Sequence, residues 1–411
     1  MRSSLPERRP AVARQEPKTL LIPALLDHHW PLLRRAFESR RYHAVVLEES
    51  AEELGLKHLH NDLCYPFHLI AGQVLAALRS GRYAPERTAV LISQAADACR
   101  GSCLIRLLRP VLDREGFSQV ALLSLNTRGL DRENALPLGP AMALRALAAA
   151  FWGDALLLMG NQVRPCEARP GETDDLIRRW TARLSRDLER CRNLLPSAVL
   201  RRCREMAADF RSLPTEKRPI QKVAVVGELY TKYCHLGNWN LERYLEAHDC
   251  AVGINGLTWY ALYYMDTHLS ESPLPIRLGG KALMAWALGF QRTFITILQD
   301  AGFTVLPPYP EVKAMALPSG CALGCGWLLS AEAAAWVRAG YRKVLAAMPF
   351  GCLPGHIYAR GVYARLQRAL PEGLIAGVDY DASTREGTVQ GRIRMLLDTE
   401  LEDVRPDRGE L

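Results

Sequence analysis

Lys343 to Pro354 read KVLAAMPFGCLP, an apolar run of strand length followed by a turn that holds Cys352 beside a glycine. A helical pattern, His356 to Leu370, comes next. A buried strand, a turn and a helix in this order are typical of a parallel α/β sheet that is covered on both faces. Ligands bind at the carboxyl ends of such strands. The sequence therefore predicts that Cys352 lies at a ligand site.

Two more cysteines lie in similar turns. Cys64 belongs to the turn Asn61 to Pro66, just before a helical pattern, and Cys99 follows the apolar run Ala89 to Ser93. Three thiolates that converge near strand ends are able to hold an iron–sulfur cluster. We therefore expect Cys64, Cys99 and Cys352 to meet in a cleft between two halves of the chain.

Composition and charge narrow the class of protein. The chain has 411 residues, of which 49% are hydrophobic and 23% charged, as in a soluble globular protein with a substantial core. Its polar start, Met1 to Lys18, contains no signal peptide, and no uninterrupted apolar run approaches the roughly 20 residues of a membrane span. The net charge of +8 comes without a recognisable nucleic-acid-binding module. We expect a cytoplasmic protein that binds neither membrane nor nucleic acid.

Eleven cysteines are many for such a chain. Disulfides are rarely maintained in the cytosol, and an odd count argues against a disulfide framework, so metal or cluster ligation is the leading functional explanation. Buried packing remains the expectation for most single cysteines. We assign Cys191, Cys203 and Cys250 to packing.

The order of apolar runs and helical patterns predicts an α/β protein of two Rossmann-like, doubly wound lobes with mostly parallel sheets and additional helices. We predict a disordered leader at residues 1–17, an N-terminal lobe at 18–213, a Pro-containing linker at 214–221 and a C-terminal lobe at 222–411. The predicted strands are Thr19–Pro23, His43–Leu47, Ala89–Ser93, Gln119–Leu125, Val223–Glu228 with its glycine turn, Lys343–Met348 and Leu374–Asp379.

A series of short segments extends over nearly the whole chain: Leu56–Pro66, Gly72–Gln73, Ser93–Gln94 with Cys99–Arg100, Arg164–Glu167, Val226–Glu228, Gly324–Leu329, Pro349–Pro354 and Asp379–Asp381. In this order they resemble the family of 2-hydroxyacyl-CoA dehydratase and benzoyl-CoA reductase subunits. The most similar branch is the cluster-binding portion of the acyl-CoA dehydratase activase-related proteins.

This resemblance implies that Cys64, Cys99 and Cys352 bind a 4Fe-4S cluster, with one iron open to substrate or bridged to a second cube. In the family, a separate ATP-hydrolysing activator supplies one electron at low potential. The electron reduces an acyl-CoA thioester so that a hydroxyl group can leave, or it reaches an aromatic ring in the reductase relatives. The resemblance also implies a homodimer or heterodimer.

The chain departs from the family pattern at several places. Ala95 to Ala98 replace a glycine-rich turn, and Gly101 to Cys103 replace residues that are usually polar and aromatic. Cys166 replaces an aromatic residue, and Cys325 stands where that branch usually has Glu. Cys321 with Cys325, and Cys99 with Cys103, have a four-residue spacing that suits extra ligands for a double-cubane cluster. The same spacing also arises by chance among eleven cysteines.

Charged residues near these turns are further candidates. Arg100 and Glu228 are predicted catalytic residues, Glu228 as an acid or base near the lobe interface. Arg100, Arg164 and Glu167 are also candidates for holding a charged ligand, for bracing the cluster turn or for ordinary ion pairs. Packing or surface roles are expected for four histidines, His28, His29, His58 and His60.

Two functions remain open from the sequence. The first is a dehydratase-like lyase or an ATP-dependent reductase component that acts on an acyl-CoA or another small substrate. The alternative is a non-catalytic electron-transfer or scaffold module. No P-loop occurs in the chain, so both require a separate activator ATPase.

Overall fold

The computed structural model describes residues 18–60, 62–95, 99–126, 130–270, 272–317 and 323–401. The predicted leader, residues 1–17, and Cys321 lie outside these ranges. Prolines begin several of the helices, where the missing N–H costs no hydrogen bond. The elements up to residue 211 are β1 (Lys18–Pro23), α1 (Trp30–Phe37), β2 (Tyr42–Leu47), α2 (Glu52–His58), α3 (Tyr65–Arg79), β3 (Thr88–Ser93), α4 (Leu104–Arg114), β4 (Ala121–Leu125), α5 (Pro140–Val163), α6 (Glu172–Glu189) and α7 (Pro196–Arg211).

The second half of the chain repeats the alternation of strands and helices. Its elements are β5 (Gln221–Gly227), α8 (Leu229–Tyr233), α9 (His235–Asn238), α10 (Leu241–Glu246), β6 (Cys250–Ile254), α11 (Leu257–Ser270), α12 (Leu274–Asp300), α13 (Tyr309–Ala314), α14 (Leu328–Arg338), β7 (Lys343–Pro349), α15 (Tyr363–Ala369), β8 (Leu374–Tyr380) and α16 (Glu386–Asp398).

The strands form two parallel sheets of four strands each. The first sheet has the order β2-β1-β3-β4 and the second β6-β5-β7-β8. In each sheet the first strand in the sequence is an inner strand. The second strand pairs with it on one side, and the third and fourth strands follow on the other side. In open α/β sheets this reversal opens a crevice at the carboxyl ends of the two inner strands. The predicted α/β class with parallel sheets is confirmed.

The burial of the inner strands explains why continuous apolar runs in the sequence predict strands. Val223 to Val226 of β5 are completely buried, because helices cover both faces of the sheet. In β7, six successive residues from Val344 to Pro349 are buried. Strands of this kind contain apolar residues at every position rather than at alternate ones.

The long helices α5, α6 and α7 connect the two sheets. Helix α5 packs against α1 and α6 on one side and against β6 and α11 on the other. One hydrophobic cluster contains Leu20 of β1, Trp152 of α5 and Val225 of β5. The two halves of the chain thus share a core through α5. The predicted boundary at residues 214–221 is the segment between α7 and β5, and β5 begins at Gln221.

Two helices near cysteines differ from the predictions. The helix expected after Cys99 begins as a 3-10 turn, Arg100–Cys103, before α4. The helix expected from His356 to Leu370 is a π turn, Gly355–Ala359, a 3-10 turn and then α15. Gly355 lies so close to Cys352 and Met348 that a Cβ there would stand 3.3 Å from the Cys352 sulfur. The chain thus packs closely around the Cys352 sulfur at the start of the π turn.

One helical stretch of the described chain, Pro140–Cys166, passes a length and composition test for a membrane span. Its mean hydropathy reaches 1.5, although Arg145 and Asp154 interrupt the apolar run. About two thirds (67%) of its most apolar window is buried inside the protein. This burial is typical of a core helix, which agrees with the packing of α5 between the two sheets.

Candidate functional site

Each of the three predicted ligand cysteines lies close to the start of a helix or a helical turn. Cys64 directly precedes α3, and Cys99 precedes the turn Arg100–Cys103. Cys352 follows β7 and is buried. Cys64 and Cys352 are free cysteines. The backbone N–H of Gly101 donates to the Cys99 sulfur at 3.4 Å, which is the kind of contact that stabilises a thiolate.

The structure brings these thiols into one electrostatic environment. Burial raises the pKa of Cys64 well above its ordinary value, and the charges of Cys352, Glu228 and Cys99 raise it further. Burial likewise raises the pKa of Cys352 to about 12, with contributions from Glu228 and Cys99. The guanidinium of Arg100 acts in the opposite direction on both thiols. The three thiols thus lie within electrostatic reach of one another, and their assignment as ligands of one cluster stays a prediction.

A fourth thiol, Cys325, belongs to the same group. It is buried, and burial raises its pKa well above the ordinary value, followed by the charges of Glu228 and Cys352. The preceding Gly324 has φ +55°, and a Cβ there would lie 2.8 Å from Pro354 and 3.8 Å from the Cβ of Cys99. Glycine thus allows the turn before Cys325 to approach the other cysteine turns. Its predicted companion, Cys321, lies outside the described residues.

A cavity of about 290 Å³ lies among these turns. Its walls include the carboxyl ends of β1 and β3 from the first sheet and residues that follow β5 and β7 in the second. These are the inner strands at which the order of each sheet reverses, so the cavity occupies the position expected for a ligand site in α/β proteins. The wall contains Cys99, Cys325, Cys352 and Glu228, and it is otherwise mainly apolar.

Two tyrosines of α11, Tyr260 and Tyr264, also line the cavity. The hydroxyl of Tyr264 donates a hydrogen bond to the carbonyl oxygen of Ala95 at 2.9 Å. This contact ties α11 to the segment after β3. The sequence analysis did not identify either tyrosine, because their α11 pattern gives no sign of which face meets the cavity.

Arg100 connects the cysteine turns. Its Nη1 donates to the carbonyl oxygen of Asp62 at 2.7 Å, and it lies beside Gly351, 3.5 Å from where a Cβ would stand. The side chain thus reaches from the turn of Cys99 to the turns of Cys64 and Cys352. This geometry supports the bracing role that was considered for Arg100. A direct catalytic role stays a prediction.

Glu228 immediately follows β5 and caps α8. Its Oε2 accepts hydrogen bonds from the backbone N–H groups of Tyr230 and Thr231, at 2.8 and 3.2 Å. Burial raises the pKa of Glu228 from 4.5 to about 7, whereas these hydrogen bonds and the charge of Lys232 lower it. A carboxyl group with such a pKa is able to accept or donate a proton near neutral pH. Its predicted acid or base role stays a prediction.

The raised pKa of Glu228 gives a pH dependence of stability. A raised folded-state pKa means that the folded chain retains a proton that the unfolded chain has lost, so this contribution is present below about pH 4.5 and is lost as pH rises through about 7. We expect the metal-free Glu228→Gln variant to become more stable relative to wild type between pH 5 and 8. Denaturant unfolding at several pH values measures this difference. A pH-independent difference would contradict the prediction.

Other charged candidates have structural partners. Arg164 contacts Asp174 at 2.9 Å and Glu246 at 2.5 Å. Glu167 accepts from the backbone N–H groups of Gly171 and Thr173 before α6. The alternative of ordinary ion pairing is therefore supported for Arg164, and a capping role is seen for Glu167. The four histidines considered in the sequence also have carboxylate partners, in the pairs His28–Glu242, His29–Asp154, His58–Glu115 and His60–Asp62.

The remaining cysteines divide by exposure. Cys203 and Cys250 are buried, which confirms their assignment to packing. Cys191 is exposed with φ +50°, so its assignment to packing was wrong. Cys103 is exposed as well and lies in a 3-10 turn, because α4 begins only at Leu104. Cys99 and Cys103 therefore do not share a face of one α-helix.

No family model and no curated protein sequence matches the chain.

Proposed function

We propose that the chain is an iron–sulfur protein that transfers electrons at low potential, with a separate ATP-hydrolysing activator as its electron donor. The observation that carries this proposal is the cavity at the carboxyl ends of two parallel sheets, whose wall contains Cys99, Cys325 and Cys352. Cys64 lies within electrostatic reach of Cys99 and Cys352. The likeness of the two sheets in strand order supports a pair of Rossmann-like lobes with the cluster between them.

The donor set fits an iron–sulfur cluster. Thiolates are the usual protein ligands of such clusters, and burial raises the pKa of Cys64, Cys325 and Cys352, so a metal must displace their protons. Arg100 supplies a positive charge beside the thiols, and the N–H of Gly101 points at the sulfur of Cys99. Both features stabilise a negatively charged metal–thiolate centre. A 4Fe-4S cluster bound here would supply a one-electron carrier of low potential.

Residues around the thiols would help to bind a small substrate and to transfer protons. The mainly apolar wall, which includes Tyr260 and Tyr264, would help to desolvate a bound substrate. The Glu228 carboxyl group has a pKa of about 7, so it can hold a proton close to the thiols and release it near neutral pH. Arg100 holds the turns that carry three of the thiols. We infer a dehydratase-like or reductase activity on an acyl-CoA or another small molecule.

Cys325 favours a second candidate function. Three protein thiolates leave one iron of a four-iron cluster open, whereas a fourth thiolate closes it. Cys325 is buried and close to Cys99 and Cys352, so it is placed to be that fourth ligand. A cluster held by four cysteines would serve as an electron carrier or scaffold rather than a catalytic centre. The alternative use of Cys325, in a double-cubane cluster, would require further ligands.

Anaerobic purification of the full chain tests these proposals. We expect several iron and acid-labile sulfide atoms per chain and reversible reduction by a low-potential reductant. Turnover of an acyl-CoA in the presence of an activator ATPase, ATP and reductant would support the enzyme. Reversible reduction without turnover across a panel of acyl-CoA esters would support the electron-transfer module. A folded chain without iron and sulfide, even after reconstitution, would contradict both.

A further inference from the structure

A second group of metal-binding side chains lies where the segment after β1 meets the start of α9. Asp27, Cys234 and His235 each offer one ligand atom, and the three atoms lie within 4.8 Å of one another. We propose that this trio binds one Zn²⁺ ion. The site uses none of the four cysteines assigned to the cluster, so it is independent of the proposed function.

The local structure already holds the three residues together. The Oδ2 atom of Asp27 accepts a hydrogen bond from the backbone N–H of His235 at 2.6 Å and lies 2.7 Å from its Nδ1. The backbone N–H of Asp27 donates to the carbonyl oxygen of Tyr233 at 3.2 Å. A ligand set fixed in this way by backbone contacts loses little freedom when an ion binds.

The solvent exposure of the three side chains also suits an ion that exchanges with solvent. The side chains of Asp27 and His235 are 28% and 40% exposed, whereas Cys234 is completely buried. A metal ion can therefore enter from solvent past the carboxylate and the imidazole and reach the sulfur at the base of the site. The approach differs from that of the cavity, whose wall holds three of the four cluster thiols.

The chemical types of the three ligand atoms indicate which metal ion the site prefers. Sulfur, nitrogen and oxygen donors together suit Zn²⁺, which binds Cys, His and Asp, whereas Ca²⁺ and Mg²⁺ prefer oxygen alone. Three protein ligands leave the fourth tetrahedral position for a water molecule. A bound ion would connect the segment after β1 of the first sheet with the α8–α9 junction of the second. The ion would thereby stabilise the contact between the two halves.

An Asp27–His235 ion pair is the simpler account of two of the residues. The hydrogen bond that the Asp27 carboxylate accepts raises the pKa of His235, and the charge of Glu48 adds to the effect. That pair does not involve the thiol. Burial raises the pKa of Cys234 to about 12, and the charge of Asp27 contributes. Ion binding must displace these protons, so its affinity should rise with pH, in contrast to the ion pair, which weakens as His235 loses its proton.

Cobalt(II) provides a spectroscopic probe for the thiol ligand. The full-length reduced chain is titrated with Co²⁺ in parallel with the variants Cys234→Ser, Asp27→Asn and Cys191→Ser. We expect wild type and Cys191→Ser, whose thiol is exposed, to bind one more tightly held Co²⁺ than Cys234→Ser. Their spectra should contain the corresponding extra thiolate-to-cobalt absorption, and Zn²⁺ should displace it. Asp27→Asn should weaken this binding by roughly tenfold or more.

The comparison between variants separates this site from the cluster cysteines, because all four chains retain those cysteines. Equal Co²⁺ stoichiometry and absorption in wild type, Cys234→Ser and Asp27→Asn would overturn the proposal. Circular dichroism checks that each variant is folded. Should Cys234→Ser be unfolded, Asp27→Asn decides the question, since it keeps the shape of the side chain and lies on the exposed side of the site. Unchanged affinity in Asp27→Asn would then overturn the proposal.

Discussion

Alanine replacement of Cys64, Cys99 or Cys352 is expected to remove most of the iron and acid-labile sulfide from the protein. Each substitution deletes one donor from a group of thiols whose charges already interact across the cavity. Loss of a direct ligand weakens metal binding more than loss of an outer hydrogen bond, which alone costs about 10- to 100-fold. We therefore expect each variant to retain less than about a tenth of the wild-type iron after gel filtration.

Cys191→Ala is the matched control, because Cys191 is a free thiol on the surface and away from the cavity. It should bind wild-type amounts of iron. Near-UV circular dichroism of the metal-free chains distinguishes loss of ligation from loss of fold. Full iron in all three cavity variants would contradict the cluster assignment.

The Cys325→Ala variant tests whether Cys325 is the fourth ligand of the cluster. If Cys325 is the fourth ligand of a single cluster, its removal should lower the iron content or make the cluster labile to dilution. If the fourth iron is open, iron content should stay unchanged and only the reduction potential should shift. The two outcomes separate the electron-carrier candidate from the enzyme candidate.

The fold was predictable because buried parallel strands appear in the sequence as continuous runs of apolar residues. Lys343–Met348 was predicted as a strand and the structure has Lys343–Pro349. Pro196 lies inside the long helical pattern Thr173–Phe210, which a proline must break or kink, and α7 begins at this proline. Both signals are local, so they do not depend on knowledge of the partner elements.

Other features depend on distant packing and were missed. Strand β6, Cys250–Ile254, is five residues long and contains Gly253, so its sequence resembles the end of a helix as much as a strand. The Asp27–His235 contact joins residues 208 positions apart, and nothing near Asp27 marks it as a partner of Cys234 and His235. The grouping of Cys64, Cys99 and Cys352 was predicted only because each lies in a turn just before a helical pattern.

A buried ion pair in the second half gives the other large effect. The Nζ of Lys232 lies 3.0 Å from Oε2 of Glu332, and Asn255 donates to Oε1 of the same carboxylate at 3.1 Å. Lys232 is 2% exposed and Glu332 is 1% exposed. Removing one partner of such a pair leaves a buried charge without compensation. We expect Lys232→Met to lower the free energy of unfolding by about 3–5 kcal/mol.

The double variant Lys232→Met/Glu332→Leu should be less destabilised than the sum of its single variants, because it leaves no unpaired charge. Arg169→Ala serves as a control, since its pair with Glu172 is exposed and should contribute only about 0–1 kcal/mol. Denaturant unfolding of the metal-free chains measures all four. A change below about 1 kcal/mol in Lys232→Met would show that the pair is not needed for stability.

The same pair links stability to the cavity. The charge of Lys232 lowers the pKa values of Glu228 and Cys325, against the effect of burial. Folded Lys232→Met should therefore titrate Glu228 at a higher pH than wild type, which infrared difference spectroscopy of the carboxyl group can follow. An unchanged titration would mean that the charge of Lys232 has no net effect on Glu228, and the pair would then act on stability alone. A shifted titration would identify Lys232 as a residue that tunes the proton affinity of the site.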